Sequence, residues 1–229
     1  MYLDDILIFG TCLKKHRQLV KEVLKRLQFN NLYAKAEKCF FEQSSIKYLD
    51  IIISENKVQI DKEKLSGVLE WPVLTKVKQV QAFLGFVNLY HGFIENFAKM
   101  SKPPSDLTKK NSIWTWGKEQ QNTFEVLKKA FTTALVLRIP NDKDLFKLST
   151  DASDFATGAV LLQKDMQTNL WYPVAFFSKS LDVHERNYKI YDKELLAVIW
   201  GLEKYKYYLE GHLYKVKIWL DHQNLTFLG

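Results

Sequence analysis

The stretch from Leu145 to Asp221 admits few folds. Leu145–Asp151, Ala156–Gln163 and Tyr172–Ser178 each read as a strand, separated by short Asp-, Thr- and Asn-containing turns that suit an antiparallel meander. The period then changes: within Asn187–Leu209, Tyr191, Leu195, Val198, Ile199, Leu202, Tyr205 and Leu209 recur at the spacing of one helical face. Tyr214–Asp221 returns to alternation, with Tyr214, Val216, Ile218 and Leu220 on one side. The order strand, strand, strand, helix, strand lets the last strand lie parallel to the first, with the helix as the crossover.

Three acids sit at telling places in that pattern. Asp151 closes the first strand, where a lone aspartate is most often a turn or cap residue. Glu194, at about 100° per residue, falls on the edge of the apolar arc of the helix and is expected half-buried beside the core. Asp221 ends the last strand. The expected topology brings all three carboxylates to one place, where like charges raise one another's pKa unless a cation is present. Such oxygen ligands suit two Mg²⁺ or Mn²⁺ ions about 3.5–4 Å apart, an arrangement used to cleave phosphodiesters.

The segments T-D-A-S-D-F-A-T-G-A-V-L, E-R-N-Y-K-I-Y-D-K-E-L-L-A-V and W-L-D-H-Q-N-L together resemble the ribonuclease H domain of gypsy-type LTR retrotransposon Pol polyproteins. The likeness extends over the whole chain. Y-L-D-D followed by I-L-I-F resembles the polymerase hairpin of reverse transcriptases, which gives Asp4 a metal-ligand role and Asp5 a supporting one. A helix over Lys14–Gln28, with Leu19, Val20, Val23, Leu24 and Leu27 on one stripe, matches the palm of that family. L-Y-A-K-A-E-K-C-F-F and I-K-Y-L-D-I-I-I-S read as two strands and match its primer-gripping hairpin. Asp50 stands where the family usually has glycine, adding a negative side chain that would face phosphate.

Helical periodicity begins at Asp61 and breaks at Trp71-Pro72, because the residue before proline is pushed out of the helical region. Thr75 is the expected N-cap of a helix carrying Val77, Val80, Phe83, Leu84, Phe86, Val87 and Tyr90. Gly85 and Asn88 near its middle lower helix propensity and allow another backbone to come close. The aromatic stripe of F-L-G-F-V-N-L-Y resembles the family's thumb and reads as core. Lys102-Pro103-Pro104 reads as a break, and W-T-W-G-K-E-Q-Q-N-T-F opens a further helix to about Ala134. His184, Glu185 and Arg186 read as cap and surface residues, Glu185 and Asp192 as lesser acids near the site, and His222 as a surface residue.

The expected architecture is an α+β and α/β multidomain chain. Residues 1–60 would be a palm remnant of hairpin and strands, and residues 61–140 a helical thumb or connection. Residues 141–229 would be a ribonuclease H-like mixed sheet with a crossover helix, the boundary lying near Pro140. The resemblance implies a further metal-binding aspartate upstream of Y-L-D-D and further helices and a strand after D-H-Q-N-L, so the chain is expected to be a fragment truncated at both ends.

Composition is that of an ordinary globular protein whose basic charge suits a polyanion partner and equally fits solubility alone. The 229 residues are 47% hydrophobic, and Lys plus Arg outnumber Asp plus Glu by 33 to 26, a net charge of +7 spread along the chain. Cys12 and Cys39 lack metal-site spacing, which points to a reduced, intracellular setting. No apolar run reaches transmembrane length and no signal-peptide pattern is visible. The resemblance implies RNA-templated DNA synthesis and hydrolysis of the RNA strand of hybrids, with Mg²⁺ or Mn²⁺ as cofactor. It implies an RNA–DNA hybrid, a primer–template duplex and the remainder of the Pol polyprotein as partners, with a dimer left open. It places the intact protein in the cytoplasm or nucleus, particle-associated. The other reading is a non-catalytic remnant that binds nucleic acid or a protein.

Overall fold

The computed structural model describes residues 5–10 and 12–220. They gather in two compact units that divide between Glu55 and Asn56.

In the first unit, residues 5–10 carry no regular structure, and helix α1 spans Leu13–Phe29. Its apolar stripe forms as expected, but none of its residues is buried, and Leu19 and Leu24 are 46% and 43% exposed. Residues 32–41 do not form the expected strand. A single 3-10 turn, Ala36–Lys38, stands there, closed by bonds from the Lys38 and Cys39 amides to the Lys35 and Ala36 carbonyls. Ala, Glu and Lys in a row favour such local helical bonds over a ladder. The second expected strand is itself a hairpin: β1 (Ser45–Tyr48) pairs antiparallel with β2 (Ile51–Ser54) across the two residues Leu49 and Asp50.

The second unit opens with β3 (Lys57–Ile60) and α2 (Lys62–Leu69), whose N-cap Asp61 accepts a hydrogen bond from the Glu63 amide. Helices α3 (Val77–Asn88), α4 (Phe97–Asp106) and α5 (Lys118–Thr132) follow, and β4 (Leu137–Arg138) returns to pair with β3. Phe83 of α3 meets Phe124 of α5 edge-on at 4.8 Å, and Tyr90 meets Phe131 at 5.2 Å. Phe83, Val87, Phe124 and Phe131 are buried, each aromatic contributing about 1.5–3 kcal/mol, so the aromatic stripe of α3 is core.

Three local expectations are corrected. The N-cap of α3 is Lys76; Thr75 instead donates its amide and hydroxyl to Gln79 Oε1, at 2.7 and 3.0 Å. Pro103 and Pro104 do not break the chain but lie in the last turn of α4, where Phe97, Ser101 and Pro104 share the buried face. The Ser105 hydroxyl donates to the Ser101 carbonyl at 2.6 Å within the same last turns. Gly85 receives no close backbone: a Cβ there would meet nothing within 4 Å among the described residues.

The second sheet follows the expected plan. β5 (Phe146–Ala152), β6 (Ala156–Lys164) and β7 (Trp171–Ser180) form an antiparallel meander. A 3-10 turn over Glu185–Asn187 leads into α6 (Ile190–Lys204) and a last turn, α7 (Lys206–Leu209). β8 (Lys217–Leu220) then pairs parallel with β5, giving the order β7-β6-β5-β8 with α6 as crossover.

α6 is turned differently from the expectation. Its buried residues are Lys193, Glu194, Ala197, Val198 and Gly201, whereas Tyr191, Leu195 and Ile199 stay 41–46% exposed. Small residues on the buried side let the helix sit close to the sheet: a Cβ on Gly201 would lie 3.2 Å from both Ala159 Cβ and Leu148 Cδ2. The Tyr205 hydroxyl, buried against the same sheet, donates to the Ala175 and Ala159 carbonyls, and burial raises its pKa far above the ordinary phenol value.

Candidate active site

The direction of α6 over the sheet decides which side chains can meet. Its C-terminal end lies on the middle of the strands, with Gly201 over Leu148 and Ala159. Its N-terminal end reaches the turn after β5, where Lys193 Nζ contacts Asp154 Oδ1 at 3.0 Å. The helix therefore runs against the direction of β5, and its first turns stand over the C-terminal end of that strand. Glu194, next to Lys193, is 3% exposed there, deeper than the half-burial expected of it.

Asp151 belongs to the same end of the sheet. It is opposite Gly158 of β6, is exposed, and lines a concavity of about 40 Å³ whose walls include Glu95, Asn96, Gly158 and Phe176. Neighbouring Thr150 is buried and pairs with Leu220, the last described residue of β8. Asp221 and Asp4 lie outside the described residues. Asp5 is exposed in the first unit, and its carbonyl accepts a hydrogen bond from the Tyr48 hydroxyl at 3.2 Å.

Two residues that sequence reasoning passed over shape this region. Lys193 is 4% exposed, and its ammonium is ion-paired with Asp154, which is itself 79% exposed. A lysine inside K-E-L-L-A-V reads as a solvated charge, and only the small residues Ala197 and Gly201 on its side of the helix signal otherwise. Asn96 precedes α4 at φ 54°, a left-handed conformation that asparagine tolerates better than most residues. Its Oδ1 lies 2.7 Å from where a Cβ on Gly158 would stand, so any larger residue opposite Asp151 would have to displace the Asn96 amide. The adjacent Ala98 amide donates to Ser178 Oγ at 2.8 Å, fastening the start of α4 to β7.

Among the described residues no group of three or more His, Cys, Asp or Glu side chains could hold a metal ion. Asp151 and Glu194 nevertheless offer the hard oxygen donors that Mg²⁺ and Mn²⁺ select, one exposed and one buried at a single end of the sheet. Cys12 and Cys39 are free thiols, and no described helix is long and apolar enough to cross a membrane.

A family model described as an RNase H-like domain found in reverse transcriptase matches residues 116–218, and one described as reverse transcriptase (RNA-dependent DNA polymerase) matches residues 1–53. The chain belongs to the reverse transcriptase and ribonuclease H family of retrotransposon Pol polyproteins. Among its relatives, the transposon Tf2-3 polyprotein of Schizosaccharomyces pombe is 37% identical over 98% of this chain. The Pol polyprotein from transposon 297 of Drosophila melanogaster is 35% identical over 100% of it, and both are consistent with the gypsy-type resemblance. The chain spans 17% and 21% of the lengths of these two polyproteins. Solved structures of the foamy viral protease-reverse transcriptase share the fold. The complex with RNA/DNA hybrid has a TM-score of 0.75 at 18% identity, covering 93% of this chain and 29% of that one. A complex with double-stranded DNA has a TM-score of 0.77 at 18% identity, covering 96% and 38%.

Proposed function

We propose that this reverse transcriptase–ribonuclease H segment works within a longer Pol polyprotein that copies RNA into DNA and hydrolyses the RNA strand of the resulting hybrid. Residues 1–60 supply the end of the palm, 61–140 the thumb or connection, and 141–229 the ribonuclease H domain. The observation that carries the nuclease assignment is the joint placement of exposed Asp151 and buried Glu194 at one end of the β5 sheet.

Reverse transcriptases and ribonucleases H generally depend on divalent metal. In the nuclease site Asp151, Glu194 and Asp221 would hold Mg²⁺ or Mn²⁺, and in the polymerase site Asp4 would do so with Asp5 beside it. The bound ions would supply an activated water and charge stabilisation at the leaving oxygen. Exposed Asp151 presents its carboxylate to a substrate phosphate arriving from solvent. Buried Glu194, fixed by the packing of α6, gives the site a ligand that does not need to be ordered on binding. The basic surface, at +7 overall, engages phosphates of hybrid and primer–template duplex without reading bases. The setting is intracellular, cytoplasmic or nuclear, within the element's particle.

The test joins this chain to the C-terminal ribonuclease H sequence of the transposon 297 relative and follows RNA cleavage in an RNA–DNA hybrid with Mg²⁺ or Mn²⁺. Asp151→Asn is expected to abolish cleavage and leave hybrid binding intact, since it removes a metal ligand and no basic contact. Full cleavage by Asp151→Asn would remove this residue from the site.

A further inference from the structure

The turn between β5 and β6 carries Phe155, which is 48% exposed. Two cations lie against that ring. Lys102 Nζ, from the last turns of α4, is 3.3 Å from the ring centroid, and the Arg186 guanidinium carbon, from the 3-10 turn before α6, is 5.9 Å from it.

All three side chains are held by backbone that is itself fixed. The Leu181 amide donates to the Phe155 carbonyl at 2.8 Å, and Arg186 Nε donates to the Leu181 carbonyl at 3.1 Å. Arg186 is thereby tied to the same short segment that holds the aromatic turn. Lys102 precedes Pro103 in a helix whose start is bonded to β7.

Like charges gathered at one ring repel. Partial burial first, then the proximity of Arg186, pull the Lys102 ammonium below the ordinary lysine value. Asp106, the acid that acts favourably on Lys102, is engaged in an ion pair with Lys109. Both Lys102 and Arg186 remain partly open to solvent. Two mutually repelling cations, pinned by an aromatic face and open outward, make a site that gains by taking an anion. Its position follows from the turn: Phe155 lies just beyond Asp151 in the chain, and Asp154 between them is the partner of Lys193 at the carboxylate end of the sheet.

We infer that Lys102, Phe155 and Arg186 form a clamp for a backbone phosphate of the RNA–DNA hybrid, one other than the phosphate to be cut, which sets the duplex against the Asp151 end of the sheet. The planar guanidinium can meet two phosphate oxygens, the ammonium adds a point charge, and the ring keeps both heads from spreading into solvent. The inference rests on the proposed nuclease function, because it takes the hybrid as the ligand.

The experiment measures binding of a labelled RNA–DNA hybrid to the 229-residue chain over a series of salt concentrations. Each phosphate that is no longer neutralised makes the slope of log affinity against log salt shallower by about 0.9. Lys102→Gln and Arg186→Gln are each expected to flatten the slope in part, and the double variant, which leaves that one phosphate unneutralised, by about 0.9 in all. Lys102→Arg and Arg186→Lys, which keep the charge and guard against a folding defect, should retain the original slope. A double Gln variant with the slope of the unaltered chain overturns the clamp while leaving the proposed function standing. An unaltered chain that binds no hybrid at low salt overturns the clamp, and the cleavage test of the extended protein then decides the proposed function separately.

Discussion

Lys193, 4% exposed on the sheet-facing side of α6, is ion-paired at 3.0 Å with Asp154 in the turn after β5. This bond links the helix that carries Glu194 to the strand that carries Asp151. The two partners differ in burial, so their removal should not cost the same. Asp154→Asn leaves a buried ammonium with a weaker acceptor, whereas Lys193→Met replaces the cation with an apolar chain of similar length. Because Asp154 is largely in water, the loss from Asp154→Asn is expected at about 1–2 kcal/mol, below that of a fully buried pair. Lys193→Met should be closer to neutral. Urea denaturation of the two variants checks this order, and a Lys193→Met chain clearly less stable than Asp154→Asn would contradict it.

Gly158 and Asn96 form a second close pair, since a Cβ on Gly158 would stand 2.7 Å from Asn96 Oδ1. Gly158→Ala must push that side chain away from the concavity beside Asp151, at a cost of about 1–3 kcal/mol. Asn96→Gly removes the obstructing amide and suits the positive φ of 54° at that position. The double variant should therefore recover most of the stability lost by Gly158→Ala. Simple addition of the two single effects in thermal or urea unfolding would show that the contact does not couple them.

These pairs also show what the sequence could and could not disclose. The meander, the crossover helix and the parallel β8 were legible because alternation and helical period follow from which faces are buried. The rotation of α6 was not. Large apolar residues such as Leu195 and Ile199 dominated the apparent face, while the helix buries Ala197 and Gly201, whose value is the close approach they permit. Glu194, which helical spacing of those large residues puts at the edge of the buried surface, stands within it.

Pro103 and Pro104 misled for a related reason. Propensity alone ends a helix there, but tertiary packing of Phe97, Ser101 and Pro104 carries α4 through both. The place of Asp151 near the end of β5 was legible from the strand pattern. Asn96 was not, because its approach to Gly158 joins segments far apart in the chain and no local pattern records it.

Asp182 gives a pH-dependent handle on the segment that positions Arg186. The backbone amides of Glu185 and His184 each donate to its carboxylate at 2.8 Å, and these bonds, that of Glu185 foremost, hold its pKa below the ordinary carboxylate value. A depressed folded-state pKa means that the contribution is fully present above the unfolded value, about 3.9, and is lost as pH falls through the folded value. Unfolding measured from pH 6 downward should show this loss in the unaltered chain. Asp182→Asn should be less stable at pH 6 and lack that part of the pH dependence; equal curves for the two proteins would refute the assignment.

The hairpin of the first unit turns through Leu49 and Asp50 at φ 48° and 63°, between the paired residues Tyr48 and Ile51. Two successive positive φ values are the signature of a type I′ turn, for which Asn-Gly is the preferred pair. A left-handed conformation costs an ordinary L-residue about 1–2 kcal/mol, less for aspartate than for leucine. Leu49 is 37% exposed, so the burial lost on replacing it offsets part of the gain. Leu49→Asn is therefore expected to contribute more of the gain than Asp50→Gly, and the double variant to stabilise the hairpin by about 1–2 kcal/mol. Amide exchange at Tyr48 and Ile51 should slow by on the order of tenfold, the equivalent of about 1.4 kcal/mol in an opening equilibrium. Asp50→Gly also removes a negative charge, so if this hairpin meets the primer in the longer polyprotein, primer–template binding at low salt should tighten as well. Slower exchange without tighter binding would keep the turn assignment and detach the hairpin from the primer; unchanged exchange would refute the turn itself.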